Sequence, residues 1–455
     1  MNAIWIKYLP KFLRGRLAHR HTLQEILGNT SWLLAERIVR MTLGLTVGVW
    51  VARHLGPDQY GLLSYVLALS ALFAPIGALG LDRILVHDLV RHPQRQSESI
   101  GTAFYLRLCA SSIAFFAVTM TAWLVRPDAT VVTTMTAIIS LGIVFQSFDV
   151  IRLWFESRVR AKYVAIAQSC ALVLSSATKV LLIVNNAPLR VFAWTFLLEA
   201  TITSLVLLIA YRKNEQRLRS WRPRLDRARS MLKDSWPLLL SALATGGAQM
   251  RIGQIMLGHM VSDKATGTFA AGTRLSELWF FLPMIVVASI SPAITQAKER
   301  GNEIYYDRLR RSLRILALSG IALALATSLL APYFISILFG ADYAGAAAVL
   351  RIHAWSIVFV FLGVGVTPWI VNENCLSLAM WRSIVAITVD IALNLVLIPL
   401  WGPVGAAVSA VCGWFVGFVL LNAFRKKTRV IFWIQLQACL PIGPRTWRAP
   451  DRDRE

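Results

Sequence analysis

The residues best placed to do chemistry in this chain are charges set inside long apolar runs. Glu36, Arg37 and Arg40 share one such run; Arg107, Lys179, Glu199, Arg251, the Arg274/Glu277 pair, Arg351 with His353, and Arg382 with Asp390 interrupt others. A Lys or Arg at the middle of a membrane-spanning helix costs roughly 2.5–3.5 kcal/mol on insertion scales, so each of these side chains needs a physical reason to be there. Arginine forks match phosphate oxygens two at a time. An isolated buried carboxylate takes up a proton or holds Na⁺ as its surroundings change access. Leu33, Arg37, Arg40 and Gly44 fall on one helix face by their spacing. Because Lys and Arg outnumber Asp and Glu within the runs, a cavity lined by them attracts anions, the opposite of what an exporter of cationic compounds needs.

Plainer readings apply residue by residue. Arg107 and Arg382 lie near the inner ends of their runs, where a long side chain snorkels to the headgroups. Lys179 and Arg351 sit in the outer third, and either snorkelling or a polar cavity suits them. Glu36 pairs with Arg37 or Arg40, Arg274 and Glu277 neutralise each other at i,i+3, and His353 reads as a hydrogen-bonded packing residue. Arg40, Arg251, Glu199 and Asp390 are too deep to snorkel and point to a polar cavity. Nothing in the sequence supplies catalysis: there is no G-x-x-x-x-G-K-S/T phosphate loop and no H-E-x-x-H or Cys/His cluster. The cysteines Cys109, Cys170, Cys375, Cys412 and Cys439 are singletons, which excludes a metal or disulfide framework. No enzyme activity, cofactor or metal is expected.

The elements that position these charges are transmembrane helices. Of 455 residues, 56% are hydrophobic and only 16% charged, against about 25% charged in a soluble domain. The expected fold is an all-α membrane protein of about twelve transmembrane helices, in two six-helix lobes with a central cavity. Stretches of roughly 20 apolar residues fall near 30–52, 60–80, 100–124, 130–151, 161–184 and 189–211. After a basic linker, others fall near 236–258, 267–293, 312–335, 345–367, 376–398 and 403–424. With the amino terminus cytoplasmic, the outer loops hold only Arg53, Arg126, Arg190 and Lys264, while the inner segments hold nearly all other loop Lys and Arg. That asymmetry accounts for most of the net charge of +23 without nucleic acid as a partner.

Residues 1–29 form a basic segment (Lys7, Lys11, Arg14, Arg16, Arg20) that reads as interfacial rather than as a signal peptide. The lobes are expected at 30–211 and 235–424, joined by a cytoplasmic linker at 212–234 and followed by a basic cytoplasmic tail at 425–455. Within that tail, 430–441 is too short to span and is expected at the interface. The two halves resemble each other faintly: Ser31-Trp32 opens the first span and Ser235-Trp236 the seventh, with His54 and His259 after them. An even number of spans per half gives a parallel repeat about the membrane normal, as in many transporters.

Two longer motifs carry a specific resemblance. Val51-Ala52-Arg53-His54-Leu55-Gly56-Pro57-Asp58-Gln59-Tyr60-Gly61-Leu62-Leu63-Ser64-Tyr65, with Leu79-Gly80-Leu81, resembles the amino-terminal pattern of Wzx-type polysaccharide flippases. Leu393-Asn394-Leu395-Val396-Leu397-Ile398-Pro399, followed by Gly402-Pro403-Val404-Gly405-Ala406-Ala407, resembles that family's carboxy-terminal signature. The resemblance covers residues 25–424. It implies the two-lobed fold shared with multidrug extruders and the lipid II flippase, and movement of undecaprenyl-pyrophosphate-linked oligosaccharide repeat units across the bacterial inner membrane. On that reading Arg37, Arg40, Arg251 and Arg274 bind the pyrophosphate or acidic sugars, Glu199 and Asp390 serve ion coupling, and both termini are cytoplasmic. The expected partners are the lipid-linked oligosaccharide, the bilayer and other polysaccharide-assembly membrane proteins. The alternatives are a cation-coupled small-molecule extruder of the same superfamily, a membrane enzyme such as a polymerase or transferase, and a structural scaffold.

Overall fold

A computed structural model describes residues 21–214, 218–245 and 248–440, and among these the regular structure is helical, with no strand. Most of the basic amino-terminal segment and the end of the carboxy-terminal tail lie outside the described residues. Eighteen α-helices run in order: α1 His21–Ala78, α2 Leu81–Arg91, α3 Gln96–Val125, α4 Thr130–Phe145, α5 Asp149–Ser157, α6 Ala161–Val184, α7 Leu189–Lys213, α8 Leu225–Thr245 and α9 Ala248–Met260. Then follow α10 Asp263–Glu277, α11 Leu282–Arg300, α12 Asn302–Leu338, α13 Ala346–His353, α14 Ser356–Gly365, α15 Thr367–Asn372, α16 Leu376–Trp401, α17 Pro403–Phe418 and α18 Lys426–Cys439.

Among the described residues, ten helical stretches are long and apolar enough to cross a membrane. Backbone polar groups have no partner in hydrocarbon, so spans must satisfy their own hydrogen bonds as helices. The difference from about twelve has two visible sources. Leu34–Arg91 is a single stretch that takes in both of the spans expected near 30–52 and 60–80, with Gly56 (φ 68°, ψ 171°) breaking the helical geometry inside α1. The span expected near 236–258 coincides with α8 and α9, which residues 246–247 separate outside the described set.

The chain divides into two compact units, one comprising Met1–His54 and Leu69–Gly246, the other Leu55–Ala68 and Gly247–Glu455. In the first, Leu81, Leu85, Val150, Ile151, Trp154, Phe155 and Tyr211 form a core. Along α3 the buried face is small (Ala103, Ala110, Ser111, Ala114, Ala122) and the exposed face large (Ile113, Phe116, Met120, Trp123). This is the pattern lipid demands: tails are as apolar as leucine, so helices associate by close approach of small residues. The segment 218–227 docks on this unit rather than lying free. Arg222 N–H donates to Ser97 O (3.2 Å) and Arg224 N–H to the Thr102 hydroxyl (3.1 Å). Trp221 packs at a tilt of 52° against Phe104 with ring centroids 5.0 Å apart and donates to the Tyr211 hydroxyl (3.2 Å).

In the second unit, Tyr305, Leu309 and Leu313 of α12 pack with Val366, Trp369, Ile431 and Ile434. Helix α18, in the stretch expected at the interface, buries Thr428, Ile431, Ile434, Gln435 and Ala438, and Gln435 accepts from Asn422 (2.8 Å) and donates to Phe418 O (3.1 Å). Gly61 and Gly267 bring two backbones together: a Cβ on Gly61 stands 1.7 Å from Asp263 O, and one on Gly267 stands 1.9 Å from Pro57 O.

Candidate functional site

In the first unit, α1, α6 and α7 converge on a four-membered charge cluster. Arg40 Nε donates to Glu36 Oε1 at 2.7 Å, and its Nη1 lies 3.5 Å from Glu199 Oε1. Lys179 Nζ lies 4.0 Å from Glu199 Oε2 and 4.5 Å from the centre of the Phe196 ring. Helix α1 supplies Glu36 and Arg40, α6 supplies Lys179 and α7 supplies Glu199, and packing joins side chains 159 residues apart in sequence. Glu199 thus holds two cations at long range and neither tightly. Arg37 stands on the same helix as Arg40 and is exposed. Glu36 takes Arg40 as its partner. Lys179 is largely buried in its ion pair, which removes snorkelling as the reason for its place.

A second network ties α2, α3 and α5 together. Arg107, buried, pairs with Asp82, which Arg152 also reaches at 3.1 Å; Arg152 further contacts Asp149 (3.4 Å) and Glu156 (2.7 Å). Burial overturns the expectation that Arg107 snorkels. An arginine withdrawn from both water and headgroups is stable only when paired, and Asp82 supplies the pair. Nearby, Arg227 bridges Asp88 (2.7 Å) and Glu98 (3.6 Å). In the docked linker, the Arg224 guanidinium holds the exposed Asp226 carboxyl below its ordinary range through a direct hydrogen bond.

In the second unit, Arg251 of α9 and Arg274 of α10 both act electrostatically on Glu277, and all three are half-buried. Arg274 Nη1 donates to the Tyr60 hydroxyl at 3.2 Å, and Tyr60 packs edge-on against Tyr343. Asp390 lies elsewhere in this unit, 1% exposed on α16. Its Oδ1 accepts from Asn394 at 3.0 Å, while Asp390 Oδ2, Asn394 Oδ1 and Gln249 Nε2 are buried with no hydrogen-bond partner among the described residues. Gly413 lets α17 pass close by, since a Cβ there stands 3.1 Å from both Asp390 Cβ and Gln249 Nε2. A buried polar atom without a partner calls for a water, an ion or another polar group to satisfy it. His353 is a packing residue as expected, hydrogen-bonded to the Ser276 hydroxyl at 2.7 Å. Arg382 is another correction: buried, it donates to Gly417 O (3.3 Å) and Phe418 O (2.7 Å) and lies over the Phe418 ring.

The structure therefore brings Arg40 and Glu199 together in one unit and, in the other, sets Arg251 and Arg274 both within electrostatic reach of Glu277, with Asp390 elsewhere beside Asn394. Sequence reasoning missed Tyr60, Asp82 and Gln249. Asp82 follows the Leu79-Gly80 turn, a helix start that is legible in sequence; Tyr60 and Gln249 look like ordinary helix residues until their partners arrive.

The family model described as polysaccharide biosynthesis protein matches residues 50–348. The chain belongs to that family. Among solved structures, the fold of this family member is similar to an inward-facing multidrug resistance MATE family transporter of the MOP superfamily, at 18% identity and TM-score 0.62, covering 88% of this chain and 94% of that one. It is also similar to the lipid II flippase MurJ in an inward closed conformation, at 14% identity and TM-score 0.66, covering 90% of each chain. A MATE crystal structure in complex with MaL6 aligns at 18% identity and TM-score 0.55, covering 91% and 96%. A search of curated protein sequences gives no match. At these identities the likeness is one of fold: a multi-pass, all-helical membrane protein with the architecture of transporters.

Proposed function

We propose that this protein is a flippase that carries undecaprenyl-pyrophosphate-linked oligosaccharide from the cytoplasmic to the outer leaflet of the bacterial inner membrane by alternating access. The observation that carries the reading is the pairing of arginines in each unit, Arg40 beside Glu199 and Arg251 with Arg274 beside Glu277, in a chain of the polysaccharide biosynthesis family. A diphosphate offers more oxygens than a single carboxylate, so it competes for guanidinium forks now shared with Glu199 and Glu277. Arg37, exposed on the same helix as Arg40, adds attraction with no ion-pair partner among the described residues. The sugar head follows the diphosphate across while the hydrocarbon chain stays in lipid. Glu199 and the Asp390 pair are the coupling groups: Glu199 is the carboxylate that Arg40 and Lys179 share, while Arg40 also keeps Glu36 at 2.7 Å, and the oxygens of Asp390 and Asn394 that lack a partner among the described residues suit a proton or a monovalent cation. Both termini are cytoplasmic, and other polysaccharide-assembly proteins are its partners.

The test follows lipid-linked repeat units in cells lacking the protein, with re-expression of wild type, Arg40→Ala and Arg251→Ala at equal protein level. Loss of a charge-assisted hydrogen bond is worth about 1.5–3 kcal/mol, so each variant is expected to lower surface glycan about tenfold or more, with repeat units accumulating on the cytoplasmic face. Full rescue by both variants would leave flipping intact and remove these arginines from the site. Unchanged glycan on deletion would sink the polysaccharide reading. The buried Asp390 favours a second reading, a cation-coupled small-molecule extruder. In that case Asp390→Asn abolishes resistance to cationic compounds while the arginine variants do little.

A further inference from the structure

We propose that Tyr60 is a positioning residue through which the diphosphate of the substrate releases an outer closure of the second unit; the proposal rests on the flippase reading above. The closure is the segment Leu55–Ala68 of α1. It packs in the second unit although its chain neighbours on both sides, His54 and Leu69, belong to the first. Gly56, with φ 68° and ψ 171°, interrupts the helix just after the segment begins. Nothing lies within 4 Å of a Cβ built there, so this glycine serves its backbone angles rather than a close approach. With the orientation proposed above, Arg53 and the turn after it face the outer surface, and the segment enters the bilayer from that side.

The segment is seated by backbone fit. A Cβ on Gly61 stands 2.7 Å from Gly267 N, and one on Gly267 stands 3.0 Å from Gly61 N. Leu63, Tyr65 and Val66 follow, all buried. Contacts of this kind rest on dispersion, so parting them strands no charge. Tyr60 is where the seat meets charge: its hydroxyl accepts from Arg274 Nη1 at 3.2 Å, and its ring packs edge-on against the buried Tyr343. Arg274 lies two turns along α10 from Gly267, about 10 Å deeper, where it and Arg251 act on Glu277. One guanidinium therefore reaches both the proposed diphosphate site and the closure. The phenol is a neutral acceptor, whereas a phosphate oxygen is charged and its hydrogen bonds are roughly twice as strong. A diphosphate that takes the fork of Arg274 draws it off Tyr60, and the segment loses a bond that fixes it on α10. Opening to the outside then follows loading rather than preceding it.

The experiment places Ser64→Cys, a buried position of the segment, in the full-length, cysteine-free protein in phosphatidylcholine nanodiscs and follows its reaction with a water-soluble maleimide. Without ligand the reaction is expected to be slow. Farnesyl diphosphate should speed it about tenfold or more, the worth of one hydrogen bond to a charged group, and phosphatidylglycerol should not. With Tyr60→Phe the reaction should be fast without ligand and gain nothing from farnesyl diphosphate, while the thermal midpoint stays unchanged. A rate in the Tyr60 protein that farnesyl diphosphate leaves unchanged overturns the proposal, as does one that phosphatidylglycerol raises equally. A fast Tyr60→Phe variant that farnesyl diphosphate still speeds by the same factor makes Tyr60 structural only, and a slow variant removes it from the closure; either overturns the proposal. Should Tyr60→Phe misfold, the response of the Tyr60 protein to the two lipids decides alone. Flipping is measured separately in proteoliposomes. Ligand-driven reaction without flipping removes the transport reading and keeps the release through Tyr60; flipping without ligand-driven reaction removes that release alone.

Discussion

Individual charges in this protein are explained by their partners more than by their depth. Arg107 and Arg382 sit near span ends, where snorkelling is the default expectation, yet both are buried in protein. The reason is local supply: Asp82 faces Arg107, and the carbonyls ending α17 face Arg382. Asp82→Asn is therefore expected to destabilise the protein by about 1–3 kcal/mol, because it leaves a buried guanidinium less compensated. Arg107→Met removes charge and desolvation together and should cost less. Thermal unfolding in detergent of the two variants checks the order; Asp82→Asn costing no more than Arg107→Met would overturn it. Tyr60 is argued in the same way. Its hydroxyl accepts from Arg274, so Tyr60→Phe should weaken transport about tenfold or more, the worth of one hydrogen bond to a charged group at about 1.5–3 kcal/mol, with little change in thermal midpoint. Charged positions such as Arg40, Glu199, Arg251 and Asp390 were legible in the sequence because hydrocarbon makes every charge conspicuous. Tyr60 and Gln249 were not, since a polar side chain in an apolar helix looks the same whether or not it meets an arginine or a carboxylate.

At the level of elements, close backbone approach and docked connections decide the packing. Between Pro57–Gly61 and Asp263–Gly267 there is no room for a Cβ on either glycine, and overpacking costs typically 1–3 kcal/mol or more. Gly267→Ala should accordingly lower the thermal midpoint and the yield of monodisperse protein, whereas Gly44→Ala, with nothing within 4 Å of its Cβ, should leave both unchanged. The linker is the second case. Its run of Arg and Lys predicts a solvated connector, but Trp221, Arg222, Arg224 and Arg227 are held by α2, α3 and α7. Trp221→Ala should expose residues 222–229 to trypsin, read as cleavage of the chain near its middle under conditions in which wild type survives. Charge composition hid this docking because the partners that hold it, Asp88, Glu98, Thr102 and Tyr211, lie on other helices.

For the whole molecule, the distribution of Lys and Arg predicts an orientation that can be measured. With the termini cytoplasmic, Asp128→Cys and Lys264→Cys in a cysteine-free background should react with an impermeant maleimide added outside intact cells. Arg229→Cys, exposed on the linker, should react only after permeabilisation. Outside labelling of Arg229→Cys would invert the orientation and with it the direction of transport proposed here.

The sequence by itself determined that this chain lives in a bilayer, that its regular structure is helical, roughly where most of its long apolar helices lie, and which charges fall within the apolar runs. Those properties are local: an apolar run in hydrocarbon must close its own hydrogen bonds, and each run does so whatever its neighbours are. Only the tertiary structure decided which charges meet. Arg40 and Glu199 are 159 residues apart, and Arg274 and Tyr60 are 214; no periodicity links such distant positions. It also decided that Leu55–Ala68 belongs with the second unit and that Asp390 is walled in beside Asn394 and Gln249. Helices in lipid gain little from burying one apolar face rather than another, so their partners are chosen by small residues that fit and polar groups that pair, and both exist only once the helices are side by side.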